Sequence, residues 1–107
     1  MANNYKNAKV DLTSTDITVL YTAPSSTTTI VKSILVSEDS GNADTITLTL
    51  TDSASAVFSL FKVKAVSANA TVELLTGPLV VEESEILKIT AATANRLHVT
   101  ASLLEIS

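Results

Sequence analysis

The segment 45–52 restricts the fold more than any other part of this sequence, because its residues alternate strictly in polarity. Threonines occupy positions 45, 47, 49 and 51, and Ile46, Leu48 and Leu50 lie between them. Successive side chains of a β-strand point to opposite faces. The pattern therefore predicts a strand with an apolar face toward a core and a threonine face toward water or a neighbouring strand.

Comparable short runs follow one another along the chain and are separated by turns rich in Ser, Thr, Asn and Asp. No segment keeps a 3.6-residue apolar period over three turns, so we expect little helix. We expect an all-β fold, namely a single small antiparallel β-sandwich or jelly-roll-like barrel of about 8–9 strands at residues 9–107, preceded by an N-terminal arm at residues 1–8. The strands are expected at 9–12, 17–22, 27–37, 45–52, 57–66, 71–76, 79–81, 86–91 and 96–106.

The composition favours a subunit whose surface is covered by neighbours. Of 107 residues, 46% are hydrophobic and 17% are charged, whereas about 25% are charged in typical domains. The chain contains no cysteine, so no disulfide or thiolate site is possible. The low charge predicts exposed apolar area, which usually marks contacts. A monomer with an apolar surface is the alternative.

Charge and hydropathy argue against nucleic acid and membranes as partners. The net charge is −4, only seven residues are Lys or Arg, and there are four aromatic residues. These numbers predict neither a basic stripe nor a base-stacking platform. No apolar run approaches the length of about 18 residues needed to cross a membrane. The polar N-terminus lacks the apolar segment of a secretory signal, so we expect the protein to start in the cytoplasm of the cell that makes it.

No arrangement of residues indicates an enzyme, a cofactor or a metal site. His98 is the single histidine, and alternation places it on a polar strand face beside Arg96 and Thr100. We expect it at the surface, since no Gly-x-Ser-x-Gly elbow accompanies it. Gly41 and Gly77 are too far apart for a phosphate-binding loop.

Two acidic clusters are expected to be solvated turns. Loop 38–44 has three carboxylates and an Asn around a Gly, but its spacing differs from that of a calcium-binding EF-hand. Glu82, Glu83 and Glu85 crowd a second corner. Paired carboxylates can hydrolyse glycosides, but the chain has no Trp to form an aromatic floor for a sugar.

Three segments supply candidate contact residues. Tyr5 and Lys6 lie in the polar arm, which we expect to reach onto a neighbouring subunit. Strict alternation in segment 27–37 places Val31 and Leu35 on one face, which meets either another subunit or a loop or the N-terminal arm of its own domain. Segment 57–66 has a face that begins with Phe58 and Leu60 and then turns basic. These six residues are the expected interface.

The pair Gly77-Pro78 is expected to form a tight turn between two apolar runs. If Gly77 requires the positive φ that glycine permits, Gly77→Val should impair folding.

Three segments resemble small virion structural proteins of tailed bacteriophages, particularly those of marine phages and cyanophages. They are Thr-Ala-Pro at 22–24 with the β-branched run at 27–34, then Glu-Leu-Leu-Thr-Gly-Pro-Leu-Val-Val-Glu at 73–82, and Leu-Leu-Glu-Ile-Ser at 103–107. The likeness spans roughly residues 17–107. At 83–85 the Ala-Gly-Asp type corner of those proteins is Glu-Ser-Glu, which loses a glycine.

The resemblance implies a non-enzymatic component of a phage virion, assembled in the cytoplasm of the bacterial host. The place that it favours is the outside of the head, as a capsid decoration or cement protein that binds the major capsid protein and forms a homo-oligomer, often a trimer. A neck, tail or fibre-attachment component is the first alternative. A carbohydrate- or receptor-binding β-sandwich is the second.

Overall fold

The computed structural model describes residues 2–107 and folds them into nine strands without a helix in that range. The strands are β1 (Asn3–Asp11), β2 (Thr18–Thr22), β3 (Thr28–Glu38), β4 (Asp44–Thr51), β5 (Val57–Val66), β6 (Thr71–Glu73), β7 (Leu79–Val81), β8 (Ile86–Ala91) and β9 (Leu97–Ile106). Among these residues no helix is long and apolar enough to cross a membrane.

The strands form two antiparallel sheets. The five-stranded sheet has the order β1-β9-β3, and both β6 and β7 pair with the far side of β3. The four-stranded sheet has the order β2-β8-β4-β5. The expected all-β sandwich is confirmed.

Apolar side chains from the inner faces of the two sheets form the core. Ile46 and Leu48 of β4 are fully buried and Thr45, Thr47 and Thr49 are half-buried, so the alternation is confirmed over most of this strand. At its end Leu50 is half-buried and Thr51 is buried. Complete burial of one such side chain stabilises the fold by about 1.5–3 kcal/mol. The largest fully buried apolar side chains are Leu12, Ile34, Ile46, Leu48, Leu87, Ile89 and Leu97.

The structure places residues 3–8 in the five-stranded sheet and not in a separate arm. They form the first part of β1, which pairs with β9 without a register shift, from Asn3 opposite Ile106 to Asp11 opposite His98. The polar sequence suits an edge strand, because little of its surface is covered. Ala8 and Val10 pack against the core. Met1 lies outside the described residues.

A β-bulge in β3 decides which residues of that strand face the core. The register with β9 shifts between Val31 and Ser33, which makes Lys32 the extra residue. Val31 is buried before the bulge, and Ile34 is buried after it. The strict alternation expected for segment 27–37 is therefore wrong, because an extra residue moves the following side chains to the opposite face.

At two turns the backbone conformation differs from the one that the sequence predicts. Gly77 does not have a positive φ, and a Cβ added there would meet no atom within 4 Å, so the expected damage from Gly77→Val loses its physical reason. At the acidic corner Ser84 has a φ of 66°. The left-handed backbone is thus found at the acidic corner and not at Gly77.

Candidate docking surface

The outer face of the five-stranded sheet carries apolar side chains that cross it from edge to edge. Tyr5 lies opposite Leu104, Leu104 lies opposite Ile30, and Ile30 lies opposite Val80. Tyr5 is 76% exposed and Val80 is 51% exposed at the two ends, and the two middle residues are half-buried. These four residues, named here the apolar row, form a contiguous patch of the kind that marks contact surfaces.

Positive charge lies beside the Tyr5 end of the apolar row. The Nζ atom of Lys32 is 5.4 Å from the centroid of the Tyr5 ring, a distance typical of a cation–π contact. The bulge in β3 brings Lys32 to this position. Tyr5, Lys6, Asn7 and Lys32 line a shallow groove of about 330 Å³ that contains no acidic residue. This end of the sheet therefore offers an apolar and basic surface.

The other end of the same outer face is polar. His98 lies opposite Asp11 on β1 and opposite Ser37 on β3. Its Nε2 atom is 3.2 Å from Asp11 Oδ1, and its Nδ1 atom is 3.4 Å from Asp39 Oδ2. A carboxylate oxygen therefore faces each ring nitrogen of His98. His98 is exposed, as its strand pattern predicts.

The structure brings together only some of the residues expected at the interface. Tyr5 and Leu35 both lie on the outer face of the five-stranded sheet, and Leu35 is 41% exposed. Lys6 follows Tyr5 on β1 but lies opposite the buried Leu103, on the inner side of the sheet, where its Nζ atom is 3.2 Å from Glu105 Oε1. Val31 is completely buried and cannot contribute to a contact. The register also adds Ile30, Leu104 and Val80, whose common row depends on strand order and was not visible in the sequence.

Phe58 and Leu60 lie on a different surface from the apolar row. They belong to β5, the edge strand of the four-stranded sheet. Phe58 is 53% exposed, whereas Leu60 is half-buried and packs against the core. Lys62 and Lys64 follow on this strand, and its register with β4 shifts twice. Lysines and bulges are typical features of protected sheet edges.

A polar cluster connects the two sheets near the inner side of Lys6. The Tyr21 hydroxyl on β2 donates to Glu105 Oε2 on β9 at 2.5 Å and lies 2.7 Å from Thr29 Oγ1 on β3. Burial, followed by the hydrogen bond to Glu105, raises the pKa of Tyr21 to about 12. The same hydrogen bond lowers the pKa of Glu105, against the opposing effect of burial and with help from Lys6. The cluster therefore contains a neutral tyrosine and an ionised glutamate at neutral pH.

Loop 38–44 is organised around the carboxylate of Glu38. Oε2 accepts hydrogen bonds from the backbone N–H and the hydroxyl of Ser40, and Oε1 accepts from the N–H groups of Gly41, Asn42 and Asn69 at 3.0–3.1 Å. Burial disfavours the charged form of Glu38, but these donors outweigh it and lower its pKa to about 2. Both oxygens are occupied, so this buried carboxylate acts as the internal anchor of the hairpin loop.

A second carboxylate, that of Glu73 at the end of β6, accepts hydrogen bonds from residues of β3. Glu73 Oε2 accepts the Ile34 N–H at 2.7 Å and the Leu75 N–H at 3.2 Å, and Oε1 accepts the Ser33 hydroxyl. Burial opposes ionisation of Glu73, but these hydrogen bonds lower its pKa. The segment 75–78 then leaves the sheet and borders a groove of about 420 Å³ with Ile30 and Lys32. The Gly77-Pro78 turn is therefore adjacent to the apolar row.

Comparisons with known proteins identify no family for this chain. No family model matches it, and no curated protein matches it. It is similar to a chain in the structure of the infectious bursal disease virus Gt strain, with 9% sequence identity and a TM-score of 0.40. The match covers 98% of this chain and 30% of that chain. A likeness at this level does not indicate a function.

Proposed function

We propose that this chain is a non-enzymatic structural subunit of a tailed-bacteriophage virion, and that it decorates the head as a cement protein. The apolar row carries the proposal, because it leaves contiguous apolar surface on a domain whose own core is already complete. The resemblance of segments 22–34, 73–82 and 103–107 to small phage virion proteins supports the same role.

The outer face of the five-stranded sheet is the proposed contact with the major capsid protein. A specific contact buries about 1,000 Å² or more in total, and burial of apolar area contributes about 25 cal/mol per Å². The domain measures 44 × 26 × 22 Å, so one broad face is large enough for such a contact. A subunit bound across a junction of two capsid proteins would resist their separation.

Several ionisable side chains form hydrogen bonds and ion pairs with other groups of the chain, which supports a structural role and not a catalytic one. The carboxylates of Glu38, Glu73 and Glu105 accept hydrogen bonds from other groups of the chain. The two ring nitrogens of His98 face Asp11 and Asp39. We propose no catalytic step, cofactor or metal for any of these groups.

The number of copies in purified particles tests the proposal. A head decoration protein is expected in hundreds of copies, whereas a neck, tail or fibre component is present in about a dozen, as set by ring symmetry. Quantitative mass spectrometry of purified virions against the major capsid protein measures this ratio. A count near a dozen would move the subunit to the neck or tail, and its absence from virions would overturn the virion assignment. An electron-microscopy map would locate the contact face.

A further inference from the structure

We propose that the capsid segment that docks on the outer face of the five-stranded sheet is acidic, with carboxylates that contact Lys9 and Lys32 and apolar side chains that cover the apolar row. This inference rests on the proposed function and deepens it, because it names the chemistry of the partner surface. A protein segment can supply both kinds of group, whereas a free anion would leave the apolar row in water.

The two lysines lie on the same face as the apolar row and on the same side of it. Lys9 follows Tyr5 at an even spacing on β1, which pairs with β9 without a register shift, so both side chains point outward. The contact of Lys32 with the Tyr5 ring places its ammonium group on the same face. Since β1 and β3 are both antiparallel to β9, they run in the same direction. Lys9 comes after Tyr5 and Lys32 comes after Ile30, so both lysines lie beyond the row in that direction.

Neither lysine has a carboxylate partner within residues 2–107. The ion pairs found there are those of Lys6 with Glu105 and of His98 with two aspartates. Lys32 contacts an aromatic ring, which leaves its positive charge in place. Both Lys9 and Lys32 are exposed. They therefore present positive charge that no group of the described chain compensates.

The acidic groups of this face either bind other groups of the chain or lie at its ends. The Glu73 carboxylate accepts three hydrogen bonds from the chain. Asp11 and Asp39 face His98 at one end, and Glu82 follows β7 at the other. The middle of the face is thus basic, although the chain has a net charge of −4. Charge complementarity selects partners, so this surface favours an acidic one.

Two shallow grooves meet at Lys32 and give such a segment a path. One has a volume of about 330 Å³ and extends to Tyr5 and Asn7 on β1. The other has a volume of about 420 Å³ and extends to the segment 75–78 beyond β6. Lys32 lines both grooves, and none of the described residues that line them is acidic. A segment that follows the two grooves crosses the strands beside the apolar row and brings a carboxylate to Lys32.

Virions stripped of the protein test the contact in a co-sedimentation titration. Lys9→Glu/Lys32→Glu reverses both charges, and we expect its dissociation constant to rise at least tenfold at low salt, where charge interactions are least screened. Lys9→Met/Lys32→Met keeps unbranched side chains without the charge, and its affinity should vary less with salt than that of the wild type. Lys62→Glu/Lys64→Glu, the matched control on β5 of the opposite sheet, should bind as the wild type does.

Amidation of the particles tests the chemistry of the partner directly. Stripped virions treated with a carbodiimide and glycinamide lose surface carboxylates. We expect the wild type to bind them at least tenfold more weakly than particles treated with glycinamide alone. The Lys9→Met/Lys32→Met variant should bind both kinds of particle alike, because it has no ammonium group at either position.

Circular dichroism of every variant checks that the fold is retained. Wild-type binding by Lys9→Glu/Lys32→Glu, an equal loss in Lys62→Glu/Lys64→Glu, or equal sensitivity of the wild type and Lys9→Met/Lys32→Met to amidation would each overturn the acidic partner. In each of these cases the wild type still binds untreated particles, so failure of this inference is distinguishable from failure of the capsid contact. A wild-type chain that binds no stripped virion would overturn both.

Discussion

At the scale of single residues, Val63 is the one β-branched residue with a positive φ among residues 2–107. It is a β-branched residue with a φ of 54°, a region that costs an L-residue about 1–2 kcal/mol. Its N–H donates to Thr47 Oγ1 at 3.1 Å, which glycine retains. After allowance for the flexibility of glycine, we expect Val63→Gly to raise the free energy of unfolding by about 0.5–1 kcal/mol, measured by urea denaturation.

Val57 supplies the matched control for this substitution. It lies on the same edge strand, is 63% exposed against 59% for Val63, and does not have a positive φ. Val57→Gly should therefore lower the free energy of unfolding by about 0.5–1 kcal/mol. If both glycine variants lose stability to the same extent, the positive φ of Val63 does not lower the stability of the fold.

The buried carboxylate of Glu38 makes stability depend on pH at the acid end. The pKa is lower in the folded chain than the ordinary value of 4.5, so ionisation contributes stability above about pH 4.5 that is lost as the pH falls toward 2. Glu73 and Glu105 act in the same direction. Glu38→Gln should be less stable at pH 7, because an amide presents N–H groups to N–H donors, and its urea midpoint should fall less between pH 5 and pH 2.5.

A carboxylate outside the fold's interior provides the comparison. Glu83 is exposed at the acidic corner, and Glu83→Gln should keep the acid sensitivity of the wild type. Loss of stability at pH 7 without any change in the pH profile of Glu38→Gln would show that the loop does not require a charged group. The sequence indicated a polar hairpin at 38–44, but not that its first carboxylate turns inward. Four of its five donors are local, in Ser40, Gly41 and Asn42, whereas the fifth, the Asn69 N–H, is 31 residues away.

At the scale of secondary-structure elements, Tyr21 joins β2 of one sheet to β3 and β9 of the other. Tyr21→Phe deletes the hydroxyl that donates to Glu105 and accepts from Thr29, so Glu105 loses a donor and the Thr29 hydroxyl loses its acceptor. We expect a loss of about 1–3 kcal/mol in the free energy of unfolding, the usual cost of an unsatisfied buried polar group. Tyr5→Phe, at a ring that is 76% exposed, should change stability by less than about 0.5 kcal/mol. Equal effects of the two substitutions would contradict a structural role for the cluster.

The existence of the strands could be predicted from the local sequence pattern. Which residues of each strand face the core could be predicted only in part. The threonine alternation of β4 and the polar face of β9 around His98 follow from a period of two, and the structure has both. In β3 the same reasoning failed, because nothing local marks Lys32 as the extra residue. The first strand was also missed in part: the polar residues 3–8 lack an apolar period, and their order comes from nine paired positions along β9.

At the scale of the whole molecule, strand order was beyond the sequence because the pairings are distant along the chain. β9 lies between the first and third strands, and β8 lies between the second and fourth. The apolar row depends on this order, since its members are separated in sequence and adjacent only in the assembled sheet. The sequence pattern also placed Val31 and Leu35 on one face. The bulge separates them, because it buries Val31 and leaves Leu35 on the outer face.

The proposed capsid contact can be tested by a substitution on the outer face of the five-stranded sheet. Leu35 lies on an inner strand of the five-stranded sheet, between Thr100 and Glu73, so Leu35→Lys places a charge in the middle of the proposed docking face. We expect at least tenfold weaker binding to virions stripped of the protein, equivalent to about 1.4 kcal/mol, in a co-sedimentation titration. Val57→Lys, on the opposite sheet, should bind normally, and circular dichroism should show that both variants keep the fold. Normal binding of Leu35→Lys together with weak binding of Val57→Lys would assign the contact to the four-stranded sheet instead.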